Sequence, residues 1–212
     1  MAGIAAGPAL IVEWATAQTA HPLETDSGDQ YVVAPLPDGL LLAVIDGLGH
    51  GVRAATAARA AVAALTGSPS NDLTTLMARC HAAVSGTRGV VMTLAAVDTS
   101  RRTLAWVGIG NVTGVLVHPG HSAHTPKRDH LHLRGGVVGY NLPRPRLFTT
   151  LVAPGDVLVL ATDGIRSGFA DSITASQPAQ AIADHILAQH GRGTDDALAL
   201  VAVCRPPQLP AR

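Results

Sequence analysis

The chain has 212 residues, of which 47% are hydrophobic, 14% charged and only 3% aromatic. Fifteen Lys and Arg residues balance fifteen Asp and Glu residues, and no segment concentrates the basic ones, which argues against a surface for nucleic acid or anionic membrane. The length favours a single domain, and the core must consist of Ala, Val, Leu and Ile rather than of aromatic rings.

The cysteines and the first residues bear on the cellular compartment. Cys80 and Cys204 lie in apolar segments without CxxC spacing, so we expect reduced core thiols with no redox role. Residues 1–10 lack a basic segment typical of a signal peptide, and no apolar run approaches the roughly 20 residues that span a bilayer. We therefore predict a cytoplasmic protein.

Apolar patterns predict three strands and two helices in the first 84 residues. The strands cover 9–19, 30–36 and 40–45, and the helices cover 52–65 and 71–84. The first helical segment is rich in Ala and free of Pro and Gly, and Asn71-Asp72 offers an N-cap for the second.

The rest of the chain is predicted to consist mainly of strands. Segments 89–97, 103–107 and 112–118 are separated by short glycine or polar turns, a spacing typical of an antiparallel meander. Residues 119–130 contain Pro and several His and are predicted as a mobile loop. The last elements are strands over 146–152 and 157–161, a helix over 178–190 and a strand over 197–203. We predict one domain over 1–204 with α+β layers, followed by a disordered, Pro-rich tail over 205–212.

Four short segments place aspartates at the edges of apolar runs. They are Ser27-Gly28-Asp29, Asp46-Gly47, Thr162-Asp163-Gly164 and Asp195-Asp196. A buried cluster of anions is costly unless cations neutralise it, and the hard cations Mg²⁺ and Mn²⁺ prefer carboxylate oxygens. The pattern therefore predicts a carboxylate-walled metal site.

The segment from Asp46 to Gly51 has two other interpretations. A strand, a glycine-rich turn and a helix also describe a dinucleotide-binding loop, but Asp46 stands where a pyrophosphate would lie, and the hairpins downstream do not fit a Rossmann fold. Asp-Gly is also a common turn dipeptide, so this segment alone is compatible with a plain β-turn.

The histidines raise the possibility of a zinc site. His118, His121, His124, His130 and His132 lie close in sequence, but no cysteine accompanies them, and a solvated loop is the favoured interpretation. Ser85 and Ser167 do not lie in a G-x-S-x-G elbow, so the sequence does not support a serine hydrolase.

A set of motifs in a fixed order resembles the SpoIIE-like bacterial branch of the PPM metal-dependent protein phosphatases. The segments are GD at 28–29, DGLGHG at 46–51, GN at 110–111, GGVVGY at 135–140, PGD at 154–156, TDGI at 162–165 and DDALALV at 195–201. The resemblance runs from about residue 9 to residue 204. It implies a four-layer αββα sandwich, in which two antiparallel sheets are flanked by helices, and a phosphoserine/phosphothreonine phosphatase.

The resemblance also implies a site with two Mn²⁺ or Mg²⁺ ions. Its ligands would be Asp29, Asp46, Gly47 through its carbonyl, Asp163 and Asp195. Asp46 would bridge the two ions, and Asp46 and Asp163 would be the central catalytic carboxylates. Paired metals lower the pKa of a water and stabilise an in-line displacement at phosphorus.

The chain departs from the wider family at two positions. Animal members hold the phosphate with an arginine on an early strand, whereas residues 9–36 contain no arginine. They also carry a histidine directly after the Asp-Gly pair, where this chain has Leu48, so that His50 is only a candidate general acid.

With no sensor or kinase domain in this sequence, the chain resembles the stand-alone phosphatases that reset the stressosome. This resemblance implies that its substrates are phosphorylated STAS-domain proteins in a stress-response pathway that regulates a sigma factor. Two alternatives stay open: a phosphatase for an anti-anti-sigma factor or other phosphoprotein outside a stressosome, and a catalytically silent domain that binds a partner.

Overall fold

The computed structural model describes residues 9–119, 126–174 and 176–207. Within these ranges the chain forms two five-stranded antiparallel sheets with helices on their outer faces. The elements in chain order are β1 Ile11–Thr19, β2 Asp29–Leu36, β3 Gly39–Gly47, α1 Val52–Thr66, α2 Leu73–Ala83, β4 Val90–Asp98, β5 Thr103–Ile109, β6 Thr113–His118, β7 Lys127–His130, β8 Phe148–Leu151, β9 Val157–Ala161, a 3-10 helix Phe169–Ser172, α3 Ala179–His190 and β10 Ala197–Arg205.

The two sheets pack face to face. The first sheet has the strand order β1-β10-β9-β6-β7, and the second has the order β2-β3-β4-β5-β8. Leu42 and Val44 from the second sheet meet Leu158 and Leu160 from the first in the central core. Helices α1 and α2 cover the outer face of the second sheet, and α3 covers that of the first. The predicted αββα sandwich is confirmed.

Burial on both faces explains why the central strands have continuous apolar sequences. All nine residues of β4 except the last, Asp98, are buried, and the same holds for β10 up to Arg205. An antiparallel sheet with one solvated face would instead show alternation of polar and apolar residues. The outer helices remove that solvated face from both sheets.

Helix α2 begins where the sequence predicts. Asp72 is its N-cap, and the Oδ1 atom of Asp72 accepts a hydrogen bond from the backbone N–H of Thr75 at 3.0 Å. This bond satisfies one of the N–H groups that the first turn leaves without a helical partner.

The predicted meander is wrong at its third strand. Strands β4 and β5 pair as expected, but β6 pairs with β9 and β7 in the other sheet. The crossing uses Gly110, whose φ of 94° favours glycine and whose Cβ, if present, would lie 2.1 Å from a Cγ atom of Val91. A strand buried on both faces shows no alternation that would reveal which sheet it joins.

The predicted loop over 119–130 is wrong for its last four residues. Lys127–His130 form the edge strand β7, whose polar sequence gives no apolar strand signal. Residues 120–125, with His121 and His124, lie outside the described part of the chain. Strand β10 continues through Arg205, whose guanidinium donates to Glu13 at 2.7 Å, and residues 208–212 of the predicted tail are also outside the described part.

Candidate metal centre

The first two predicted ligands face each other on neighbouring strands. Asp29 opens β2, Asp46 lies near the end of β3, and the two residues are directly paired in the antiparallel register. Like charges in directly opposed positions destabilise a sheet. The repulsion between these two carboxylates therefore has to be relieved, either by a bound cation or by protonation of one carboxylate.

Asp163 follows the last residue of β9, in the first sheet. Just before it, the buried Thr162 donates its hydroxyl hydrogen to Oδ2 of Asp29 at 2.7 Å, and its hydroxyl oxygen accepts the N–H of Leu198 at 2.9 Å. The side-chain amide of Asn111 donates to Oδ2 of Asp163 at 2.9 Å. These bonds tie the ends of both sheets together and orient two of the carboxylates.

Asp195 and Asp196 precede β10 and have different environments. Asp195 is exposed, whereas Asp196 is buried and accepts backbone N–H groups from His21 and Gly28, each at 2.8 Å. Asp196 thus fixes the loop that leads into Asp29, while Asp195 remains accessible to a ligand.

All five carboxylates line one pocket of about 360 Å³. The other lining residues are Leu48, Gly49, His50, Val91, Gly110, Asn111 and Gly135. The lining contains no lysine or arginine. The predicted convergence is present, but it occurs where the ends of two facing sheets meet, because Asp46 belongs to one sheet and Asp163 and Asp195 to the other.

The pocket disfavours negative charge when no cation is present. Burial, and then the carboxylate of Asp46, raises the pKa of Asp29 to about 8, although the hydrogen bond from Thr162 acts in the opposite direction. Burial, and then Asp163, Asp195 and Asp196, raises the pKa of Asp46 to about 7. Bound divalent cations would reverse both effects.

The donor set fits hard divalent cations that keep part of their hydration shell. In the described ranges, no three His, Cys, Asp or Glu side chains are grouped as a ready-made site for one ion. Mg²⁺ retains several waters and is typically held by only one or two carboxylates, so a wide pocket with separated carboxylates suits it better than a compact cage. Two ions would share the available oxygens.

The structure brings Asp29, Asp46, Asp163 and Asp195 together, and Gly47 lies between the lining residues Asp46 and Leu48. A ligand role for the Gly47 carbonyl stays a prediction. The sequence alone does not assign the supporting roles of Thr162, Asn111 and Asp196. The dipeptides TD, GN and DD are the sequence signals for these roles, because in each of them a hydrogen-bonding residue belongs to one of the motifs described above.

His50 lies at the rim of the same pocket. Its side chain is exposed, and its Nδ1 atom lies 2.7 Å from Oε1 of Glu24. Its ring stacks on that of His21 with a centroid distance of 5.4 Å. These contacts hold the imidazole near the carboxylates, where a proton donor would have to lie. The contacts alone do not show that His50 donates a proton.

The other described histidines do not form a zinc site with one another. His118 is buried, contrary to the prediction of a solvated loop, and its ring nitrogens lie 2.9 Å from Asp156 and 3.2 Å from Asp129. His130 and His132 are exposed. His118 therefore joins the start of β9 to β7 at the end of the first sheet away from the metal pocket.

Comparisons with known proteins agree with this geometry. The family described as Stage II sporulation protein E (SpoIIE) matches residues 37–206. The phosphoserine phosphatase RsbX of Bacillus subtilis (strain 168) is 25% identical over 141 residues, or 65% of this chain and 67% of RsbX. No helix in the described ranges has the length and apolar character needed to cross a membrane.

Two solved structures have the same fold. A chain from the structure described as "The bacterial stressosome: a modular system that has been adapted to control secondary messenger signaling" superposes with a TM-score of 0.81 at 27% identity, covering 91% of this chain and 99% of that one. The crystal structure of RsbX in complex with magnesium also gives 0.81, at 18% identity, covering 91% of this chain and 95% of RsbX.

Proposed function

This chain belongs to the stage II sporulation protein E (SpoIIE) family, and we propose that it is a Mg²⁺- or Mn²⁺-dependent phosphatase for phosphoserine and phosphothreonine in proteins. The observation that carries the proposal is a pocket with five carboxylates and no basic side chain except the rim histidine. A phosphate dianion would be repelled from this pocket unless cations occupied it. The similarity to RsbX, a phosphoserine phosphatase, supports the same reaction.

The carboxylates have distinct roles in this proposal. Asp46 lies opposite Asp29 and is influenced by the charges of Asp163 and Asp195, so Asp46 would be the carboxylate shared by two ions. Asp29, Asp163 and Asp195 would supply further ligands, and Asn111 fixes the orientation of Asp163. Bound cations would activate a water and neutralise the charge that develops on the phosphoryl oxygens.

We expect substrate selection to come from outside the pocket. The early strands contain no arginine to hold the phosphate, so binding of a small phosphoester depends mostly on the metals. We infer that a folded phosphoprotein docks around the pocket and supplies the missing binding energy. We propose a phosphorylated STAS-domain protein of a stressosome-like assembly in the cytoplasm as the substrate. The similarity to RsbX and to the stressosome chain supports a stressosome-related phosphoprotein.

A comparison of folded and unfolded substrates tests this substrate class. We expect kcat/KM on a phosphorylated STAS domain to exceed that on a phosphopeptide of the same local sequence by at least about tenfold, because remote contacts position the phosphate for attack. Phosphate release from both substrates is measured with the same metal. Equal efficiencies would show that docking contributes nothing, and would leave a general PPM phosphatase.

We further propose that His50 donates the proton to the leaving serine oxygen. His50→Gln should lower turnover of a phosphoserine peptide by about 10²-fold, within the usual range for loss of a general acid. The loss on p-nitrophenyl phosphate should be much smaller, because nitrophenolate leaves without protonation. His185→Gln, on the exposed face of α3, is the matched control. An equal loss on both substrates would contradict a proton-donor role.

A further inference from the structure

A second recess shares a wall with the metal pocket. It has a volume of about 420 Å³, and both Asn111 and Asp163 line it as well as the metal pocket. A substrate residue next to the phosphoserine can reach it, since an extended chain advances roughly 3.3–3.6 Å per residue. The recess is therefore placed to contact the sequence that flanks the phosphate.

Two arginines line the recess, unlike the metal pocket, and two carboxylates, Asp163 and Asp171, line it as well. Arg128 of β7 and Arg192, from the loop after α3, both line it, together with His130. Arg128 donates to Asp171 at 3.0 Å, and its Nε–H is buried with no hydrogen-bond partner among the described residues. The carboxylate of Asp171 thus partly neutralises the charge of Arg128.

Arg192 is the cation most available to a ligand. Its side chain is exposed and makes no hydrogen bond or ion pair with any residue in the described ranges. Its backbone, in contrast, is fixed, because its N–H donates to the carbonyl oxygen of Gly164 at 2.8 Å and the preceding Gly191 bridges to Ile165. The backbone of Arg192 is thus bound to the turn that contains Asp163.

The apolar part of the remaining lining suits an acidic side chain better than a second phosphate. Val115, Ile165 and Phe169 line the recess beside the arginines, and they suit the methylene groups of a glutamate or aspartate. Neither arginine lines the metal pocket, so neither is placed to hold the phosphate that is hydrolysed.

On these grounds we propose that Arg192, assisted by Arg128, selects substrates with an acidic residue close to the phosphoserine. The inference rests on the proposed phosphatase function. It adds a specificity-determining residue that lies outside the metal centre.

A panel of phosphoserine peptides tests the proposal. Each peptide carries Glu in place of Gln at one position from three residues before to three residues after the phosphoserine. For the wild-type protein we expect Glu at one or two positions to raise kcat/KM about three- to tenfold, the range for a partly exposed charge pair. Arg192→Gln should remove this preference, and Arg192→Lys should retain part of it.

Charge reversal and a distant arginine complete the design. The Arg192→Glu variant should hydrolyse peptides with Lys at that position more efficiently than peptides with Glu. Arg101 is exposed and pairs with Asp98 at the far end of β4, so the Arg101→Gln variant should keep the wild-type preference.

No preference in the wild type, or a preference unchanged in Arg192→Gln, would overturn the proposal. A loss of equal size on all peptides and on aryl phosphate would also overturn it, because Arg192 would then hold the phosphate itself. A wild-type protein that hydrolyses neither peptides nor aryl phosphate would instead overturn the phosphatase function, and this inference with it.

Discussion

Asp46→Asn is expected to lower kcat/KM for p-nitrophenyl phosphate by at least about 10²–10³, as does removal of one electrostatic element from other preorganised sites. Asp46 is the carboxylate that faces Asp29 across the strands and is also influenced by Asp163 and Asp195. An asparagine has nearly the same shape but cannot bring two cations together. The measurement is steady-state turnover with saturating Mn²⁺.

The same variant should be more stable than the wild type when metal is absent. Because the pKa of Asp46 is raised to about 7 in the folded protein, its ionisation costs stability as the pH rises from about 4 to above 7. At pH 8 the metal-free variant should therefore melt several degrees higher, at about 2–4 °C per kcal/mol for a chain of this length.

Asp38→Asn, in the exposed turn before β3, is the control for both measurements. We expect it to retain wild-type turnover and melting temperature. A loss of activity below tenfold in Asp46→Asn, with the fold intact by circular dichroism, would remove Asp46 from the centre of the site. A lower melting temperature in the metal-free variant would contradict the repulsion among the carboxylates.

Gly164→Ala is expected to damage both stability and activity, although it adds only a methyl group. A Cβ at this position would lie 2.0 Å from the backbone oxygen of Asp196, so the turn after Asp163 must move away from β10. Overpacking of this kind typically costs about 1–3 kcal/mol. A misplacement of about 1 Å among catalytic groups can cost about 10²-fold in rate, and we expect a loss of that order. Urea unfolding and aryl phosphate turnover measure the two effects.

Gly135→Ala serves as the stability control for this substitution. No heavy atom lies within 4 Å of a Cβ at Gly135, and its φ does not require glycine. Its free energy of unfolding should stay within about 0.5 kcal/mol of the wild type. If Gly164→Ala unfolds at the same urea concentration as the wild type and keeps full activity, the close approach of the two acidic turns is not needed.

The sequence predicts most elements of the fold because their local signals are strong. The helix beginning at Val52 follows from an Ala-rich segment without Pro or Gly, and Asp72 marks the next helix by capping it. The position of β6 in the first sheet is not predictable from the same kind of signal. Its residues are buried on both faces, its neighbour β7 has a polar sequence, and its other partner β9 does not begin until Val157.

The candidate site is predictable in composition but not in its supporting contacts. Aspartates at the ends of apolar strands identify Asp46, Asp163 and Asp195, because so many buried acids need a common neutralising partner. The role of Thr162 depends on hydrogen bonds to Asp29 and Leu198, which the fold brings together from 133 and 36 residues away. No local pattern specifies such contacts. The recess around Arg192 likewise joins residues of β7 and of the loop after α3.

The dependence of phosphate hydrolysis on a divalent cation tests the central claim most directly. The purified protein is assayed on p-nitrophenyl phosphate as isolated, after exhaustive chelation with EDTA, and after Mn²⁺ or Mg²⁺ is restored. We predict that chelation lowers turnover by at least about 100-fold and that added Mn²⁺ or Mg²⁺ restores it, because the carboxylate pocket repels phosphate and has no other means of activating water. Full activity in protein shown by elemental analysis to be free of metal would contradict the account.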